Sequence, residues 1–256
     1  MGRYGTGWII LLVLTAIALR PASADDVVVD PPYYTGARST ADGTVDANGR
    51  WSGDGNHGFR IGWSIADPWS SPSGLWEYAY TVSGELDASG DPLPLTQDLS
   101  HVILQVSDLA GTGSDFESAF TGFNNDDCLD DGEPMLETYS GANPSNPGLP
   151  SSLYGLKWEP DGDVGQYTMS FRSTQVPIWG SFYAKTGRDT RAFNLGLDPA
   201  NGHGEPDAFT TDFSAWVPTP DTDSNVPPEV IPEPGTLALL GGGLALLLRR
   251  RRRRLA

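Results

Sequence analysis

An acidic stretch between residues 124 and 133 is the part of this sequence best suited to metal chemistry. It contains five carboxylates and two amides within ten residues. Hard cations such as Ca²⁺ bind about six to eight oxygen ligands of this kind. A solvated acidic loop without a bound ion is the favoured interpretation, and a Ca²⁺ loop is the alternative. The candidate Ca²⁺ ligands are Asp126, Asp127, Asp130, Asp131 and Glu133.

The spacing of these acids does not follow an EF-hand. With Gly132 at the turn position, Leu129 stands where an oxygen ligand is needed and Thr138 occupies the twelfth place. Cys128 is the only cysteine, so the chain cannot form an internal disulfide, and no histidine lies near it in sequence to suggest a soft metal. The folded part must therefore be stabilised by its core, or by bound cations.

The sequence carries no recognisable catalytic motif. His57, His101 and His203 are scattered, and we expect them to lie on the surface rather than to meet in space. Neither H-E-x-x-H nor G-x-S-x-G is present. Glycoside hydrolysis requires two carboxylates at a set distance in space, which the sequence alone does not give.

Tryptophans offer a second kind of chemistry, the stacking of exposed rings on sugars. Trp51, Trp63, Trp69 and Trp216 lie near predicted loops and are the candidates for a carbohydrate platform. Core packing is the competing interpretation, and it is favoured for the aromatic stretch 176–185. Large aromatic side chains bury much area in a core.

Hydrophobic alternation predicts the element that must position these residues, an all-β domain. In Leu75–Gly84, bulky Trp76, Tyr78, Tyr80 and Val82 alternate with smaller or polar residues, as in a strand with one buried face. Between seven and nine short strands separated by Gly, Pro and Asp turns predict a single antiparallel β-sandwich, jelly-roll or immunoglobulin-like. The other predicted strands are 27–29, 59–66, 101–107, 153–159, 166–172, 179–185, 192–197 and 212–217, and a single helical turn is predicted at 115–120.

The N-terminal end predicts export. Arg3 lies before an apolar run from Trp8 to Leu19, and Ala22-Ser23-Ala24 fits the small-x-small rule of signal peptidase. We predict a signal peptide at residues 1–24. A permanent N-terminal span is the alternative, which the short apolar run disfavours.

The charge of the exported part limits its partners. Residues 25–231 contain eight Lys or Arg and 32 Asp or Glu, which gives a net charge near −24. Such a charge excludes nucleic acid and an anionic membrane surface as partners. It suits divalent cations, basic partners, or solubility in an extracellular matrix.

The C-terminal end combines three features in 26 residues. Pro232, Glu233 and Pro234 precede a short apolar run at 235–248, which contains three consecutive glycines. As a helix this run spans about 21 Å, less than the roughly 30 Å of a membrane core. A basic cluster follows, and because its charges cannot cross the bilayer it acts as a membrane stop. The cluster consists of Arg249, Arg250, Arg251, Arg252, Arg253 and Arg254.

These C-terminal features resemble the PEP-CTERM sorting signal of Gram-negative bacteria. The resemblance implies recognition by an exosortase and transient anchoring in the inner membrane, followed by release or transfer to the cell surface. It covers about a tenth of the chain, with Ile231 where the family usually has valine. An ordinary tail anchor is one alternative, and a glycine-rich tag cut by a rhomboid-type protease is another, although such a tag would lack Pro-Glu-Pro.

The predicted organisation is therefore a signal peptide at 1–24, a β-sandwich domain at 25–216, a Pro-rich linker at 217–230 and a sorting signal at 231–256. Two functions follow from different classes. The first is a non-catalytic surface or matrix protein, structural or carbohydrate-binding, associated with exopolysaccharide in a biofilm. The second is a secreted polysaccharide hydrolase or lyase that uses the same sorting signal. Signal peptidase and an exosortase are the expected processing partners.

Overall fold

The computed structural model describes residues 27–53, 56–106, 119–123, 134–161, 165–187, 190–203, 206 and 209–221. Within these ranges the chain forms antiparallel β-strands and short 3-10 turns, which confirms the all-β prediction. In chain order the strands are β1 (Thr35–Ser39), β2 (Val45–Ala47), β3 (Arg60–Ala66), β4 (Trp76–Ser83), β5 (His101–Gln105), β6 (Phe120–Thr121), β7 (Met135–Tyr139), β8 (Leu153–Trp158), β9 (Tyr167–Ser173), β10 (Pro177–Gly180), β11 (Phe182–Thr186), β12 (Thr190–Asn194) and β13 (Val217–Pro220). The 3-10 turns are Pro31–Tyr33, Gly49–Trp51, Leu195–Leu197 and Pro199–Asn201.

The strands are arranged in two large sheets and one small one. A five-stranded sheet has the order β1-β3-β4-β9-β6, and a six-stranded sheet has the order β2-β12-β11-β5-β8-β7. β10 and β13 form a separate two-stranded sheet. The narrower expectation of a jelly-roll or immunoglobulin-like topology stays a prediction, as does the division of the whole chain into domains.

The two large sheets pack face to face around an aromatic core. Trp158 of β8 stacks on Phe171 of β9 with ring centroids 5.8 Å apart, and Phe59 stacks on Phe182 of β11 at 5.7 Å. Each pair joins the two layers, because its members belong to, or directly adjoin, different sheets. The fold is therefore β-sandwich-like. The alternating residues of β4 predicted to face the core are all buried there, as Trp76, Tyr78, Tyr80 and Val82.

The outer face of the six-stranded sheet is covered by the chain between β7 and β8. Ile103, Tyr183 and Phe193 of the sheet form a second buried cluster with Leu149 of this connection. The connection is fastened by the Tyr183 hydroxyl, which donates to the Pro147 carbonyl at 3.0 Å. Both faces of this sheet are therefore buried near its centre.

Three predicted strands have different bounds in the structure. Residues 179–185, predicted as one strand, are divided between β10 and β11, which belong to different sheets. Residues 192–197 leave the sheet after Asn194 and continue as a 3-10 turn. The predicted strand at 212–217 begins only at Val217, and Val217–Pro220, which we expected to open the linker, is buried in β13.

Candidate functional site

Several predicted site residues lie outside the described residues. They include the candidate Ca²⁺ ligands Asp126, Asp127, Asp130, Asp131 and Glu133, so Ca²⁺ binding stays a prediction. They also include Pro232, Glu233 and Pro234 and the arginines 249–254. Within the part of the chain that the structure describes, no group of three or more His, Cys, Asp or Glu side chains is arranged to hold a metal ion.

The three histidines occupy three different environments. His57 is partly exposed and bonds to the Pro94 carbonyl, whereas His203 lies edge-on to Trp216. His101, which we expected on the surface, is only 2% exposed and lies 6.0 Å from the Tyr183 ring under the connection between β7 and β8. The surface prediction was wrong for His101, because a histidine at the start of a strand can be covered by a distant loop.

Burial makes His101 a source of pH-dependent stability. Desolvation and, after it, the nearby charges of Lys157 and Lys185 lower the pKa of His101 to about 3, although the neighbouring Asn146 side chain, as an acceptor for the charged ring, opposes the shift. As pH falls below about 6.5, the unfolded chain takes up a proton that the folded protein does not bind. Stability therefore falls as pH drops from 6.5 toward 3.

Between pH 6.5 and pH 5 we expect protonation of His101 in the unfolded chain to lower the free energy of unfolding by about 1.6 kcal/mol. Urea unfolding of the wild type and of His101→Leu at the two pH values measures it. The loss should be nearly absent in His101→Leu and should persist in His203→Gln. An equal loss in wild type and His101→Leu would contradict the assignment.

Of the four tryptophans proposed as a carbohydrate platform, the structure leaves one in solvent. Trp51, Trp63 and Trp216 are buried, so the platform prediction is wrong for them. Trp51 packs against Phe59, and the Trp63 ring nitrogen donates to the Tyr33 carbonyl at 2.9 Å. Trp69 is 78% exposed. Of these four tryptophans, Trp69 is therefore the one that remains a candidate for stacking on a sugar.

The loop that carries Trp69 is held by its own hydrogen bonds. The Asp67 carboxylate accepts from the backbone N–H groups of Trp69 at 2.8 Å and Ser70 at 2.9 Å. The Ser71 backbone N–H donates to the Asp67 carbonyl at 2.9 Å. Asp at this place satisfies loop N–H groups that have no strand partner. The indole is thus presented on an ordered turn that directly follows β3.

A carboxylate on β4 fastens the other half of this loop. Glu77 accepts hydrogen bonds from the hydroxyls of Ser71 at 2.7 Å and Ser73 at 3.1 Å. The Ser71 hydrogen bond is the main reason that the pKa of Glu77 lies below its ordinary value, and Arg172 contributes through a contact of 3.5 Å. The loop is therefore joined to the sheet at both ends.

A second exposed aromatic lies at the same end of the sheet. Tyr33 is 47% exposed and precedes Tyr34, whose carbonyl accepts from the Ile65 N–H at 2.7 Å next to the end of β3. The Tyr33 ring is supported edge-on by buried Trp179 at 5.5 Å. We call Tyr33 and Trp69 the aromatic end. Sequence reasoning proposed Trp69 and missed Tyr33, which carries no local signal of exposure.

The C-terminal end of the chain supplies the deciding comparison. Residues 230–253 match the PEP-CTERM protein-sorting motif. This confirms the resemblance noted from the sequence: the chain carries the signal of an exosortase substrate, which implies exosortase processing, export and sorting to the cell surface. The chain matches no curated protein and no solved structure. Among the described residues, no helix has the length and apolar character needed to cross a membrane.

Proposed function

We propose that this PEP-CTERM protein is a non-catalytic, carbohydrate-binding component of the cell surface or extracellular matrix. Its body associates with exopolysaccharide, as in a biofilm, after signal peptidase has removed residues 1–24. Residues 235–248 anchor the chain transiently in the inner membrane until the exosortase acts. The single observation that supports the binding role most directly is Trp69, exposed on a loop built from hydrogen bonds.

The exposure of Trp69 has an energetic cost that favours a binding role. A tryptophan side chain buries about 150–250 Å² when it packs, which is worth several kcal/mol at roughly 25 cal/mol per Å². The fold leaves most of that stabilisation unused at Trp69 while fastening its loop through Asp67 and Glu77. An ordered loop lowers the entropy lost when a ligand stacks on the ring.

The charge of the body narrows the class of polysaccharide. A net charge near −24 repels polyanions, so an uncharged polymer suits this protein better than a uronate-rich one. Stacking between an indole and the C–H face of a sugar requires no charge on either partner. The proposed ligand is therefore a neutral exopolysaccharide.

Replacing Trp69 by alanine is expected to weaken polysaccharide binding at least tenfold, because an aromatic anchor of this type carries about 2 kcal/mol and about 1.4 kcal/mol is tenfold in affinity. Affinity electrophoresis in gels containing the exopolysaccharide of the producing bacterium measures the change. The melting temperature should not move noticeably, since Trp69 makes few contacts with the core. Tyr33→Ala should show a smaller loss.

Met135→Ala provides the matched control, because Met135 is an exposed apolar residue on β7 of the other large sheet. It should bind like the wild type. Equal binding by the wild type and Trp69→Ala would overturn the role of the aromatic end. Release of reducing ends or of unsaturated sugars from the polymer by the wild type would contradict the non-catalytic assignment and favour the hydrolase or lyase.

A further inference from the structure

A polar cleft opens at the end of the five-stranded sheet opposite the aromatic end. It forms where β1 ends at Ser39, β3 begins at Arg60 and β4 ends at Ser83. Its volume is about 350 Å³, at the small end of ligand pockets. The side chains and backbone that line it include Thr40, Ala41, Ser52, Asn56, His57, Glu85 and Leu93.

One carboxylate in the cleft is fixed by two hydrogen bonds. Glu85 Oε1 accepts from the Thr40 hydroxyl at 2.6 Å and from the Ala41 backbone N–H at 2.8 Å. Both bonds fall on the same oxygen. The second carboxylate oxygen therefore keeps its capacity to accept hydrogen bonds from a ligand.

His57, beside Glu85, is also oriented by a hydrogen bond. His57 Nδ1 lies 2.7 Å from the Pro94 carbonyl, and because a carbonyl only accepts, Nδ1 donates. In the neutral ring this leaves Nε2 as an acceptor. The Glu85 backbone N–H donates to the His57 carbonyl at 2.6 Å, which holds the two residues side by side.

The shape of the cleft requires glycine at position 58. Gly58 has φ +67°, a conformation that other residues rarely adopt. A Cβ there would lie 2.5 Å from the Thr40 hydroxyl oxygen and 2.7 Å from Glu85 Cγ. Any side chain at position 58 would displace the Thr40 hydroxyl or the Glu85 side chain itself, so the hydrogen bond between them depends on glycine at this position.

We propose that this cleft binds one end or one branch unit of a neutral, hydroxyl-rich glycan. Glu85 and His57 present two positioned acceptors to neighbouring sugar hydroxyls, and the apolar side chain of Leu93 offers a surface for sugar C–H groups. The Glu85 carboxylate disfavours uronates and other anionic sugars.

This inference rests on the proposed carbohydrate-binding function and adds a second contact to it. The cleft and the aromatic end lie at opposite ends of the same sheet, about the length of β4 apart. One body with two such contacts joins two segments of polysaccharide, and linked contacts retain a polymer more strongly than either contact alone.

The test is isothermal titration calorimetry on the full exported protein. The probes are neutral hexasaccharides of glucose, mannose, galactose and N-acetylglucosamine, with a galacturonate oligosaccharide as the anionic comparison. We expect at least one neutral probe to bind and the galacturonate to bind at least tenfold more weakly. The Glu85→Gln substitution is made in a Trp69→Ala background, which removes the other proposed contact. There Glu85→Gln replaces the available acceptor oxygen by an N–H donor or disturbs its two bonds, so it should weaken binding at least tenfold relative to Trp69→Ala alone.

Glu137→Gln is the matched control, because Glu137 is an exposed acid on β7 of the other sheet, and it should bind like the wild type. Undiminished binding by Glu85→Gln, or no binding of any neutral probe, would overturn the proposal that the cleft binds a neutral glycan. In either case Trp69-dependent retention of polysaccharide would leave the proposed function standing. A heat of binding with Ca²⁺ or Zn²⁺ that Glu85→Gln abolishes, without any response to sugars, would assign the cleft to a cation instead.

Discussion

Alanine in place of Pro232, Glu233 and Pro234 is expected to abolish removal of the C-terminal tail. From the sequence we expect the two prolines to favour an extended peptide and to disfavour a helix within it, and an extended peptide is the form that binding clefts accept through their backbone. The match at residues 230–253 implies that an exosortase reads this peptide. Loss of the motif therefore removes a recognition event rather than weakening a contact.

The intact mass of the protein recovered from the producing bacterium measures the effect. The wild type should lack Arg249–Arg254, and the triple variant should keep them. Replacement of Pro227 and Pro228 in the preceding proline-rich stretch is the control, since it changes chain stiffness outside the motif, and it should be processed normally. Wild-type protein that keeps its arginines in a host with a working exosortase would contradict the prediction.

We expect the apolar run behind the motif to be a weak membrane anchor. Residues 235–248 span about 21 Å as a helix and contain three glycines, each of which weakens a helix by about 1 kcal/mol relative to alanine. The arginines that follow resist transfer across the bilayer. We expect such a tail to hold the chain at the membrane long enough to be cut.

The alternation of apolar and polar residues predicted the central strands, because successive side chains of a strand point to opposite faces of the sheet. Residues 76–83 and 167–173 alternate between buried and more exposed positions, and each was predicted within two residues of its bounds. β1 and β7 were missed, because Thr-Gly-Ala-Arg-Ser and Met-Leu-Glu-Thr-Tyr carry no apolar alternation of their own. Their places follow from pairing with β3 and β8, which a local pattern does not contain.

The errors around β10 and β13 also have a physical cause. Residues 179–185 look like one strand, but the chain changes sheet at Ser181, whose carbonyl accepts from the Gln105 N–H. Pro218 and Pro220 suggested a linker, yet proline is tolerated in a strand that pairs on one side only, as β13 does with β10. Composition alone therefore does not distinguish a proline-containing strand such as β13 from a linker.

The candidate sites differ in how far the sequence could reveal them. Trp69 lies between Pro68 and two serines, so the sequence indicated a loop but not which tryptophan would be exposed. The cleft had no local signal, because Thr40 and Glu85 are 45 residues apart and meet only when β1 and β4 flank β3. Nonlocal clusters of this kind become visible only once the strand order is known.

Substituting Arg38 by methionine is expected to destabilise the folded body by about 3 kcal/mol. Its guanidinium donates from Nε to the Trp216 carbonyl at 2.9 Å and from Nη2 to the Phe213 carbonyl at 2.7 Å. It also lies over the rings of Trp63 at 5.0 Å and Trp179 at 5.8 Å. Hydrogen bonds from a charged donor contribute about 1.5–3 kcal/mol, and each cation–π contact about 0.5–2 kcal/mol.

The position of Arg38 explains why methionine does not compensate. Burial lowers the pKa of Arg38 from its ordinary value, with Asp42 and Asp212 opposing the shift, so the guanidinium is largely out of water. Methionine fills similar space but donates no hydrogen bond. The Phe213 carbonyl keeps the Trp216 N–H as a donor, whereas the carbonyl of buried Trp216 loses the Arg38 donor. An unsatisfied buried group costs more than the bond itself contributed. For a body of about 200 residues, 3 kcal/mol lowers the melting temperature by about 6–12 °C.

Differential scanning calorimetry of Arg38→Met against Arg172→Met checks this expectation. Arg172 is half exposed and makes a 3.5 Å contact with Glu77, so its loss should cost less than about 1 kcal/mol. Because Arg38 joins β1 to residues 213–216 just before β13, its loss should also speed hydrogen exchange at the Asp221 amide, which bonds to the Val176 carbonyl. Equal melting temperatures for the two variants would contradict the stabilising role assigned to Arg38.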